Sequence, residues 1–377
     1  MAVAYLDHAA TTPLRPEAVE AMLPWIGEQF GNPSGSHSVA RSARAAVDEA
    51  RDVVAACLGA AAGEVVFTAG GTEADNLAIA GVAQRRPGSA PPLCSTIEHH
   101  AVLHACLARG GRLIPVSPDG LVDLDALAEA LLAEPGTSVV SVMLANNEVG
   151  VIQALEDVVG VVREHSRAAI HSDAVQAFPW LDVAAMTACV DLVAVSAHKF
   201  GGPQGVGALV ARDGLAIEPL LYGGGQERDR RSGTHNVAGI VGMAAAMAAT
   251  VATRAQAVAR IGVLRDRLAD GLLRAIPETV ETGDRSAKIA GNCHLRFAGV
   301  ESESLLILLD DDGICASAGS ACTSGAIEPS HVLVAMGVKP DDALSSVRLS
   351  LGTTTTDDDI DLALKVIPDA VARLRGC

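Results

Sequence analysis

An acid and an amine each follow a short apolar run near the middle of the sequence. Asp173 closely follows the run at residues 168–170, and Lys199 follows the run at residues 192–195. If both runs are buried parallel strands, their carboxyl ends meet at one edge of a sheet. Pyridoxal phosphate (PLP) requires such a pair, because a lysine forms a Schiff base with its aldehyde and a carboxylate keeps its ring nitrogen protonated. The spacing therefore predicts a PLP site.

Each of these residues also has a simpler interpretation. Lys199 alone is typical of a solvated surface lysine, and Asp173 alone is typical of a helix N-cap. Lys199, however, ends a run of buried character and precedes a rigid turn at residues 200–203. Desolvation and neighbouring positive charge allow such an amine to lose its proton. Ser196 and His198 flank Lys199 and can donate to a phosphate, or else they satisfy backbone groups.

A glycine-containing segment at residues 68–76 follows a predicted strand and opens a predicted helix. Its glycines, including Gly71, let the backbone approach an anion, and the first helical N–H groups with the Thr72 hydroxyl can hold a phosphate. The alternative is that Thr72 and Asp75 form only a capping box. The segment is neither a Walker A loop nor a G-x-G-x-x-G fingerprint, which argues against ATP or NAD.

Three further residues stand where a cofactor or substrate would meet the same edge of the sheet. His99 follows the strand-like run at residues 93–97, and an imidazole stacked on a pyridine ring can shuttle protons at neutral pH. Asn147 stands just past another strand, where its amide can reach a ring hydroxyl or the substrate. Arg348 lies in an alternating apolar strand and needs a partner there, such as a substrate carboxylate. The alternatives are a surface histidine pair, a turn-forming asparagine and a structural salt bridge.

Cys322 lies in a small, polar, glycine-bearing segment at residues 316–325. This composition predicts a loop in which burial is not expected, and an exposed thiol with a lowered pKa is a nucleophile. Most cysteines in proteins are packing residues instead, so we expect Cys57, Cys189 and Cys315 to be packed.

The bulk composition is typical of a globular protein. Its 377 residues are 49% hydrophobic and 19% charged, enough for a large core and two domains. A formal net charge of −17 disfavours direct nucleic-acid binding. Residues 1–14 show no export signal, and residues 237–253 predict a buried or interface helix rather than a membrane span. The eight cysteines contain no C-x-x-C pair, so we expect a cytoplasmic protein with reduced thiols and no metal site.

The elements that must position these residues alternate between strands and helices. The strand-like runs are at residues 64–68, 93–96, 112–116, 138–144, 168–172, 191–196 and 206–210. Helical stretches such as residues 123–133 and 155–167 lie between them, which predicts an α/β fold with a mostly parallel seven-stranded sheet. The last strand follows Lys199 after a turn too short for a helix, so we expect it to be antiparallel to its neighbour.

The pattern changes after Asn236. A long helical region precedes short strands and further helices, and this mixture predicts a smaller α+β domain. The strands are expected near residues 289–297 and 347–351, and the helices near residues 303–309, 329–336 and 357–374. We divide the chain into a large cofactor-binding domain at residues 14–254 and a small domain, formed by residues 1–13 and 255–377, that carries Cys322.

Together these motifs make the sequence resemble the group I cysteine desulfurases, the NifS/IscS type, which belong to the class V aminotransferase family. The resemblance covers nearly the whole sequence, from residues 5–12 (YLDHAATT) to the last helix. It implies a fold-type I PLP enzyme in which Lys199 carries PLP, Asp173 pairs with the pyridinium and His99 stacks on the ring. It also implies that Gln176 contacts the ring hydroxyl. The phosphate-binding residues that it implies are Thr72, Ser196 and His198.

The same resemblance implies a substrate and an assembly. Asn147 and Arg348 would hold L-cysteine, with Asn32 nearby, and Thr234 would reach the phosphate of the partner subunit in a homodimer. Cys322 would attack the sulfur of L-cysteine, which leaves alanine and a persulfide on the enzyme. The persulfide would pass to a protein sulfur acceptor, for iron–sulfur cluster assembly or for tRNA or DNA thiolation.

The sequence departs from the family pattern at several positions and leaves other functions open. Gly35 and Ala318 stand where the family usually has serine, and Ala197 stands where it commonly has glycine. The sequence ends at Cys377, where housekeeping members of the family often continue with a segment that docks the iron–sulfur scaffold protein. A selenocysteine lyase or class V aminotransferase would use the same cofactor, although a transaminase needs no loop thiol. A non-enzymatic sulfur or metal carrier would use Cys315 and Cys322, whose spacing on a loop, without a second close pair, makes a poor metal site.

Overall fold

The computed structural model describes residues 3–85, 88–212, 214–318 and 328–376. The β-strands in these ranges are β1 (Ala4–Tyr5), β2 (Val65–Thr68), β3 (Leu93–Ser95), β4 (Arg112–Ile114), β5 (Val139–Ser141), β6 (Ala169–Asp173), β7 (Leu192–Ser196), β8 (Gly207–Ala211), β9 (Thr279–Glu281), β10 (Asn292–Phe297), β11 (Ile314–Cys315) and β12 (Ser346–Ser350). The α-helices there are α1 (Pro16–Ile26), α2 (Ser38–Cys57), α3 (Gly71–Arg85), α4 (His100–Leu107), α5 (Leu124–Ala133), α6 (Leu155–His165), α7 (Val183–Met186), α8 (Val237–Ala275), α9 (Ser302–Asp311), α10 (His331–Ala335), α11 (Pro340–Ala343) and α12 (Asp357–Arg375).

Seven strands form the main sheet, in the order β2-β8-β7-β6-β5-β3-β4. Strands β7, β6, β5, β3 and β4 are parallel to their neighbours in this series, whereas β8 is antiparallel to both β7 and β2. The predicted mostly parallel seven-stranded sheet and its antiparallel last strand are therefore confirmed. Strands β7 and β8 are buried along their whole length, because their valine, leucine and alanine side chains pack on both faces of the sheet.

The register of the sheet brings the carboxyl ends of its central strands together. Strand β6 ends at Asp173, which pairs with Ala194 of β7. Strand β7 ends at Ser196, directly before the 3₁₀ turn Ala197–Lys199. Strand β3 lies two strands away from β6 and leads towards His99. Because these strands are parallel, their ends form one edge that collects the acid, the amine and the imidazole.

Helix α8 is the longest of the described helices. Asn236 caps its start, because the Asn236 side chain accepts a hydrogen bond from the Gly239 N–H. By length and composition α8 is apolar enough to cross a membrane, but half of its most apolar 18-residue stretch is buried inside the protein. It packs against α1, α2 and α12, as expected for the buried helix predicted at residues 237–253.

A second group of elements packs around its own core. Strands β12, β10 and β9 form an antiparallel sheet, and β1 pairs in parallel with β11. Phe297 and Leu305 belong to this core together with Ile261 and Leu268 from the second half of α8. The first half of α8 belongs to the core of the main sheet. Because α8 is continuous through residue 255, the division into domains stays a prediction.

The burial of several cysteines differs from the expectation. Cys57, Cys189 and Cys315 are partly exposed rather than packed. Cys57 is the last residue of α2 and Cys315 is the last residue of β11, and element ends leave part of a side chain uncovered. The buried cysteines among the described residues are Cys94, Cys106 and Cys293.

Candidate active site

A cavity of about 530 Å³ opens at the carboxyl edge of the main sheet. It lies where β6 and β7 end, next to the start of α3. The predicted site residues that line it are Gly71, Thr72, His99, Asn147, Asp173, Gln176, Ser196, His198, Lys199 and Arg348. The fold therefore brings together residues that the sequence distributes over most of its length.

The Lys199 amine lies against the backbone of the N-terminal segment. Its Nζ donates hydrogen bonds to the Ala9 carbonyl at 2.6 Å and to the Ala10 carbonyl at 2.9 Å. The Gln176 side chain donates to the same Ala9 carbonyl at 2.7 Å. These carbonyls hold the amine beside the cavity. Sequence reasoning missed this support, because backbone carbonyls carry no signal in residue type.

Asp173 ends β6 and is only 5% exposed. Its Oδ1 accepts a hydrogen bond of 2.8 Å from the Val175 N–H. Burial raises the pKa of Asp173 to about 6, although the Val175 N–H and the Lys199 charge act to lower it. Asp173 is therefore mostly ionised at neutral pH, as a carboxylate that pairs with a protonated ring nitrogen must be. The alternative of a helix N-cap is wrong, because a turn follows this residue.

His99 is the N-cap of α4, where its Nδ1 accepts a hydrogen bond of 3.1 Å from the Ala101 N–H. Burial, followed by the Lys199 charge, lowers the pKa of His99 to about 4. The imidazole is therefore neutral at neutral pH, and its proton is on Nε2 because Nδ1 is the acceptor. His99 is half-buried at the cavity, so the alternative of a surface histidine does not describe it.

The start of α3 forms a cradle of backbone donors. The helix begins at Gly71, after Gly70, whose φ of +153° favours glycine. A Cβ at Gly71 would lie 2.8 Å from Val175 Cγ2, so a larger residue would force Val175 to move where this helix start packs against the turn after β6. Thr72 lies inside the helix and Asp75 is buried, so the capping-box alternative is wrong. A helix start of this kind binds phosphate through its N–H groups.

Ser196 lies beside this cradle, and His198 lines the same cavity. Ser196 Cβ would be 3.4 Å from a Cβ at Gly71, so the serine adjoins the start of α3. His198 Nδ1 lies 3.2 Å from Thr11 Oγ1. Burial, followed by the Lys199 charge, lowers the pKa of His198 to about 4. Both side chains are therefore neutral groups that can donate a hydrogen bond to an anion.

Arg348 is a nearly buried guanidinium on β12. Its NH2 donates to the Asp7 carboxylate at 2.8 Å, and its NH1 donates to the Asn147 carbonyl at 3.1 Å. Its Nε is buried without a hydrogen-bond partner within the described ranges. The salt bridge considered from sequence is thus present, and Arg348 lines the cavity as well. Asn146 is the turn-forming member of its pair, which leaves Asn147 at the cavity.

Three predicted site residues are not placed at the cavity. Asn32 and Thr234 are exposed and do not line it. Cys322 lies outside the described residues. The nearest described residues on either side that line the cavity are Ser317 and His331.

Three buried acids at or near the cavity, Asp75, Glu98 and Glu148, had no predicted role at the site. Asp75 lines the cavity with 1% exposure, and Glu98 is fully buried behind it. Burial raises the pKa of Glu98 to about 8 and raises the pKa of Asp75 well above its usual value. A signal for them existed, because each carboxylate stands beside apolar residues that belong to a core. The residue types indicate only a capping box for Asp75 and no role for Glu98 or Glu148.

A second cavity, of about 200 Å³, shares Ala9, Gln176 and Lys199 with the first. Its lining includes Trp180 and Arg254. It lacks the carboxylate at the end of β6, the imidazole before α4 and the start of α3. The groups suited to PLP are therefore concentrated in the larger cavity.

The residues present fit PLP. The cavity combines an amine, an ionised carboxylate, a neutral imidazole and a helix start, which match the aldehyde, the ring nitrogen, the ring face and the phosphate of this cofactor. Gly71 leaves little room for a side chain where α3 begins, as expected for a backbone that approaches an anion.

The chain is similar to known proteins over nearly its whole length. The Aminotransferase class-V family matches residues 4–363. The chain is 46% identical over 384 residues to the IscS-like cysteine desulfurase of Mycobacterium tuberculosis, with 99% of this chain and 97% of that protein covered. A solved NifS-like protein superimposes with a TM-score of 0.92 at 34% identity, covering 98% of this chain and 100% of the other. The structure of SspA in complex with cysteine gives a TM-score of 0.79 at 31% identity, covering 93% and 99%.

The fold and the cavity define a fold-type I enzyme of the PLP-dependent type, and the chain belongs to the class V aminotransferase family. Within that family it is a cysteine desulfurase, an enzyme of sulfur transfer that is related to the IscS and NifS proteins. The resemblance and the fold class inferred from sequence are thus confirmed. The roles of the individual residues, the homodimer and the cytoplasmic location stay predictions.

Proposed function

We propose that the cavity binds PLP, with Lys199 as its attachment point, Asp173 at the ring nitrogen and His99 against the ring. The observation that carries this proposal is the meeting of these three groups at one edge of the sheet beside the start of α3. Thr72, in that helix start, holds the phosphate together with Ser196 and His198, which line the same cavity. Bound PLP supplies an electron sink that weakens the bonds of an amino-acid substrate.

Proton transfer belongs to the Lys199 amine, with the Nε2–H of His99 as a hydrogen-bond donor beside it. Both groups line the cavity, and the imidazole is neutral at neutral pH because burial lowers its pKa. Nε2 already carries the proton of this neutral ring, so His99 donates a hydrogen bond there, and the Lys199 amine is the group that accepts and returns a proton. The Ala9 and Ala10 carbonyls orient the lysine for this exchange.

Arg348 binds the carboxylate of L-cysteine. Its guanidinium lines the cavity and keeps one donor, Nε, without a partner among the described residues. A substrate carboxylate supplies the two oxygens that a guanidinium prefers. The contacts with Asp7 and the Asn147 carbonyl fix the plane of the guanidinium before the substrate arrives. Similarity to SspA, whose structure contains cysteine, supports this assignment of the substrate.

Cys322 is the acceptor of the substrate sulfur. Its thiolate attacks the sulfur of L-cysteine, so that an S–S bond forms while the bond between the substrate sulfur and its β-carbon breaks. The electron pair of the broken bond stays with the β-carbon, which takes up a proton and leaves as alanine. The persulfide on Cys322 then passes its outer sulfur to a protein acceptor in iron–sulfur cluster assembly or in thiolation of nucleic acid.

The enzyme acts as a homodimer in which Thr234 reaches the cofactor phosphate of the partner. Thr234 is exposed and does not line the cavity of its own chain, which supports this assignment. Large apolar side chains are exposed on the same chain, with Phe30 at 76% and Tyr222 at 74%, and an interface would cover such groups. Asn32 stands close to Phe30 in sequence and is exposed as well, so we place its substrate contact at that interface.

The test of the sulfur-transfer step compares the native enzyme with the Cys322→Ala variant. Each protein is incubated with L-cysteine, the persulfide is trapped by alkylation and located by peptide mass spectrometry, and alanine is quantified. We expect persulfide on the peptide that contains Cys322, and a loss of sulfur transfer of at least about a hundredfold in the variant.

The matched control is Cys315→Ala, which removes a partly exposed thiol a short distance earlier in the chain. This variant should keep the native rate of persulfide formation. Native rates of sulfur transfer in Cys322→Ala would refute the role of Cys322. Loss of transfer in Cys315→Ala alone would move the role to that residue.

A further inference from the structure

His171 is a buried histidine that the chemistry described above does not use. It lies on β6 two residues before Asp173, so the two side chains project from the same face of the strand. His171 Nδ1 lies 2.8 Å from Ser141 Oγ on β5, and His171 Nε2 lies 3.5 Å from Asp75 Oδ1 on α3. Because Asp75 lines the cavity, these side chains lead from the interior of the sheet to the cofactor site.

The approach of His171 to Asp75 joins two buried atoms that need a partner. His171 Nε2 and Asp75 Oδ1 have no hydrogen bond to another described residue, and their separation slightly exceeds the usual N–H···O range. Buried polar atoms are almost always paired, because an unpaired one has lost its bonds to water without replacement. A small side-chain movement closes this contact and satisfies both atoms at once.

The contact also fixes the tautomer of His171. Burial lowers the pKa of His171 to about 3, so the ring is neutral and carries one proton. If Nε2–H donates to Asp75, the Ser141 hydroxyl must donate to Nδ1. One continuous series of hydrogen bonds then orients the Asp75 carboxyl group.

Asp75 faces other charged groups from each neighbouring element. Asp173 approaches it from β6 and Glu98 from the segment after β3, and Lys199 lines the same cavity. Burial, with the charges of Asp173 and Glu98, raises the pKa of Asp75 well above its usual value. The Lys199 charge acts in the opposite direction on Asp173. Closely placed buried carboxyl groups cannot all ionise, so Asp173 is the one that does.

We propose that Asp75 is a positioning residue for the cofactor: a neutral acid that accepts the Nε2–H of His171 on Oδ1 and donates its own proton at the cavity. It thereby leaves Asp173 as the single carboxylate at the ring nitrogen. The proposal rests on the proposed function, because it requires PLP in this cavity.

The experiment is a pH titration of the visible absorption of bound PLP in the native holoenzyme and in Asp75→Asn. Asparagine keeps a donor and an acceptor without a charge. We therefore expect the midpoint of the titration to stay within about 0.3 pH unit of the native value. A midpoint shift of about one unit or more would show that Asp75 is ionised in the native enzyme, and it would overturn the proposal.

The Asp75→Leu variant tests the donor itself. Leucine is similar in size and removes both the donor and the acceptor, so the Kd for PLP should rise at least about tenfold. Unchanged affinity would overturn the proposal. The matched control is Ser172→Ala, since Ser172 is equally buried on β6 but projects from its opposite face, and it should leave both the midpoint and the Kd unchanged.

The tautomer of His171 gives a readout that needs no variant. In holoenzyme labelled with ¹⁵N in its histidine rings, we expect the Nε2–H form of His171 at neutral pH. The Nδ1–H form would overturn the proposal, even where Asp75→Leu does not fold. A native protein that binds no PLP would overturn the proposed function and this proposal together. A holoenzyme that fails only the Asp75 and His171 tests would overturn this proposal alone.

Discussion

Two buried glutamates of this protein take opposite protonation states. Glu98, behind the cofactor cavity, accepts hydrogen bonds from neutral groups, the Ser95 hydroxyl at 2.6 Å and the Met143 N–H at 2.8 Å. Glu227 faces the guanidinium of Arg51 instead. Burial raises the pKa of Glu98 to about 8. Burial also acts to raise the pKa of Glu227, but the hydrogen bonds from its cationic partner and its other donors outweigh it and lower this pKa to about 2.

Glu227 is surrounded by donors from distant parts of the chain. Arg51 donates from NH1 at 2.8 Å and from NH2 at 2.6 Å, the Phe67 N–H donates at 2.9 Å, and His235 Nε2 lies at 2.7 Å. The backbone here is strained, since Glu227 has a φ of +52° and the next two residues also have positive φ. Residues other than glycine rarely adopt this conformation, so the ion pair must hold it in place.

The comparison shows that the partners of a buried carboxyl group, rather than its burial, decide its charge. A cationic partner turns Glu227 into an anchor between α2, β2 and the segment before α8. Without such a partner, Glu98 and Asp75 keep their protons beside the cavity, whereas Asp173, whose pKa the Lys199 charge acts to lower, is mostly ionised at neutral pH.

The largest expected effect comes from removing the charge of Glu227. In Glu227→Gln, Arg51 stays buried without a counter-charge, so the free energy of unfolding should fall by about 4 kcal/mol. Urea denaturation of the holoenzyme measures this change. The control is Asp361→Asn, which breaks the exposed pair of Asp361 with Arg267 and should cost less than about 1 kcal/mol. Similar losses in both variants would contradict the assignment of Glu227 as a buried anchor.

The pH dependence of stability distinguishes the two glutamates by sign. Because its folded pKa is lowered from 4.5 to about 2, Glu227 stabilises the protein by about 3 kcal/mol above pH 4.5, and this contribution is lost as the pH falls towards 2. Because its folded pKa is raised to about 8, Glu98 acts in the opposite way, and stability is lost as the pH rises from 4.5 towards 8. Denaturation is measured at a series of pH values for the native protein, Glu227→Gln and Glu98→Gln. The loss of stability at acidic pH should be absent in Glu227→Gln, and the loss towards alkaline pH should be absent in Glu98→Gln. A Glu98→Gln variant with the native alkaline slope would contradict this account.

The smallest effect is expected for Glu98→Gln at pH 4, below the ordinary pKa of a glutamate, where Glu98 is mostly protonated in both the folded and the unfolded protein. The native carboxyl group is already protonated there, and glutamine keeps the oxygen that Ser95 and Met143 bind. The free energy of unfolding should therefore change by less than about 1 kcal/mol. A loss as large as that of Glu227→Gln would show that Glu98 is ionised and would remove the contrast between the two residues.

Much of the fold could be predicted from sequence because it depends on local patterns. The central strands of the main sheet are continuous buried runs, and several helices begin at capping residues such as Asp123 and Asn236. The acid after β6 and the amine after β7 could be placed together, because parallel neighbours end at the same edge.

The remaining features depend on contacts that no local pattern contains. Arg51 and Glu227 are 176 positions apart, and Lys199 is held by carbonyls of the N-terminal segment. His171 and Asp75 come from different elements that only the packing of α3 on the sheet brings together. The charge of a buried acid depends on such partners, so neither the neutral acids nor the anchor could be inferred from residue types alone.

The most direct test of the account is the covalent link between PLP and the protein. The holoenzyme is reduced with borohydride, digested and analysed by peptide mass spectrometry. The account predicts a phosphopyridoxyl group on the peptide that contains Lys199, and no such group in Lys199→Ala. A protein that stays colourless with added PLP, or one that carries the label on another lysine, would contradict the account.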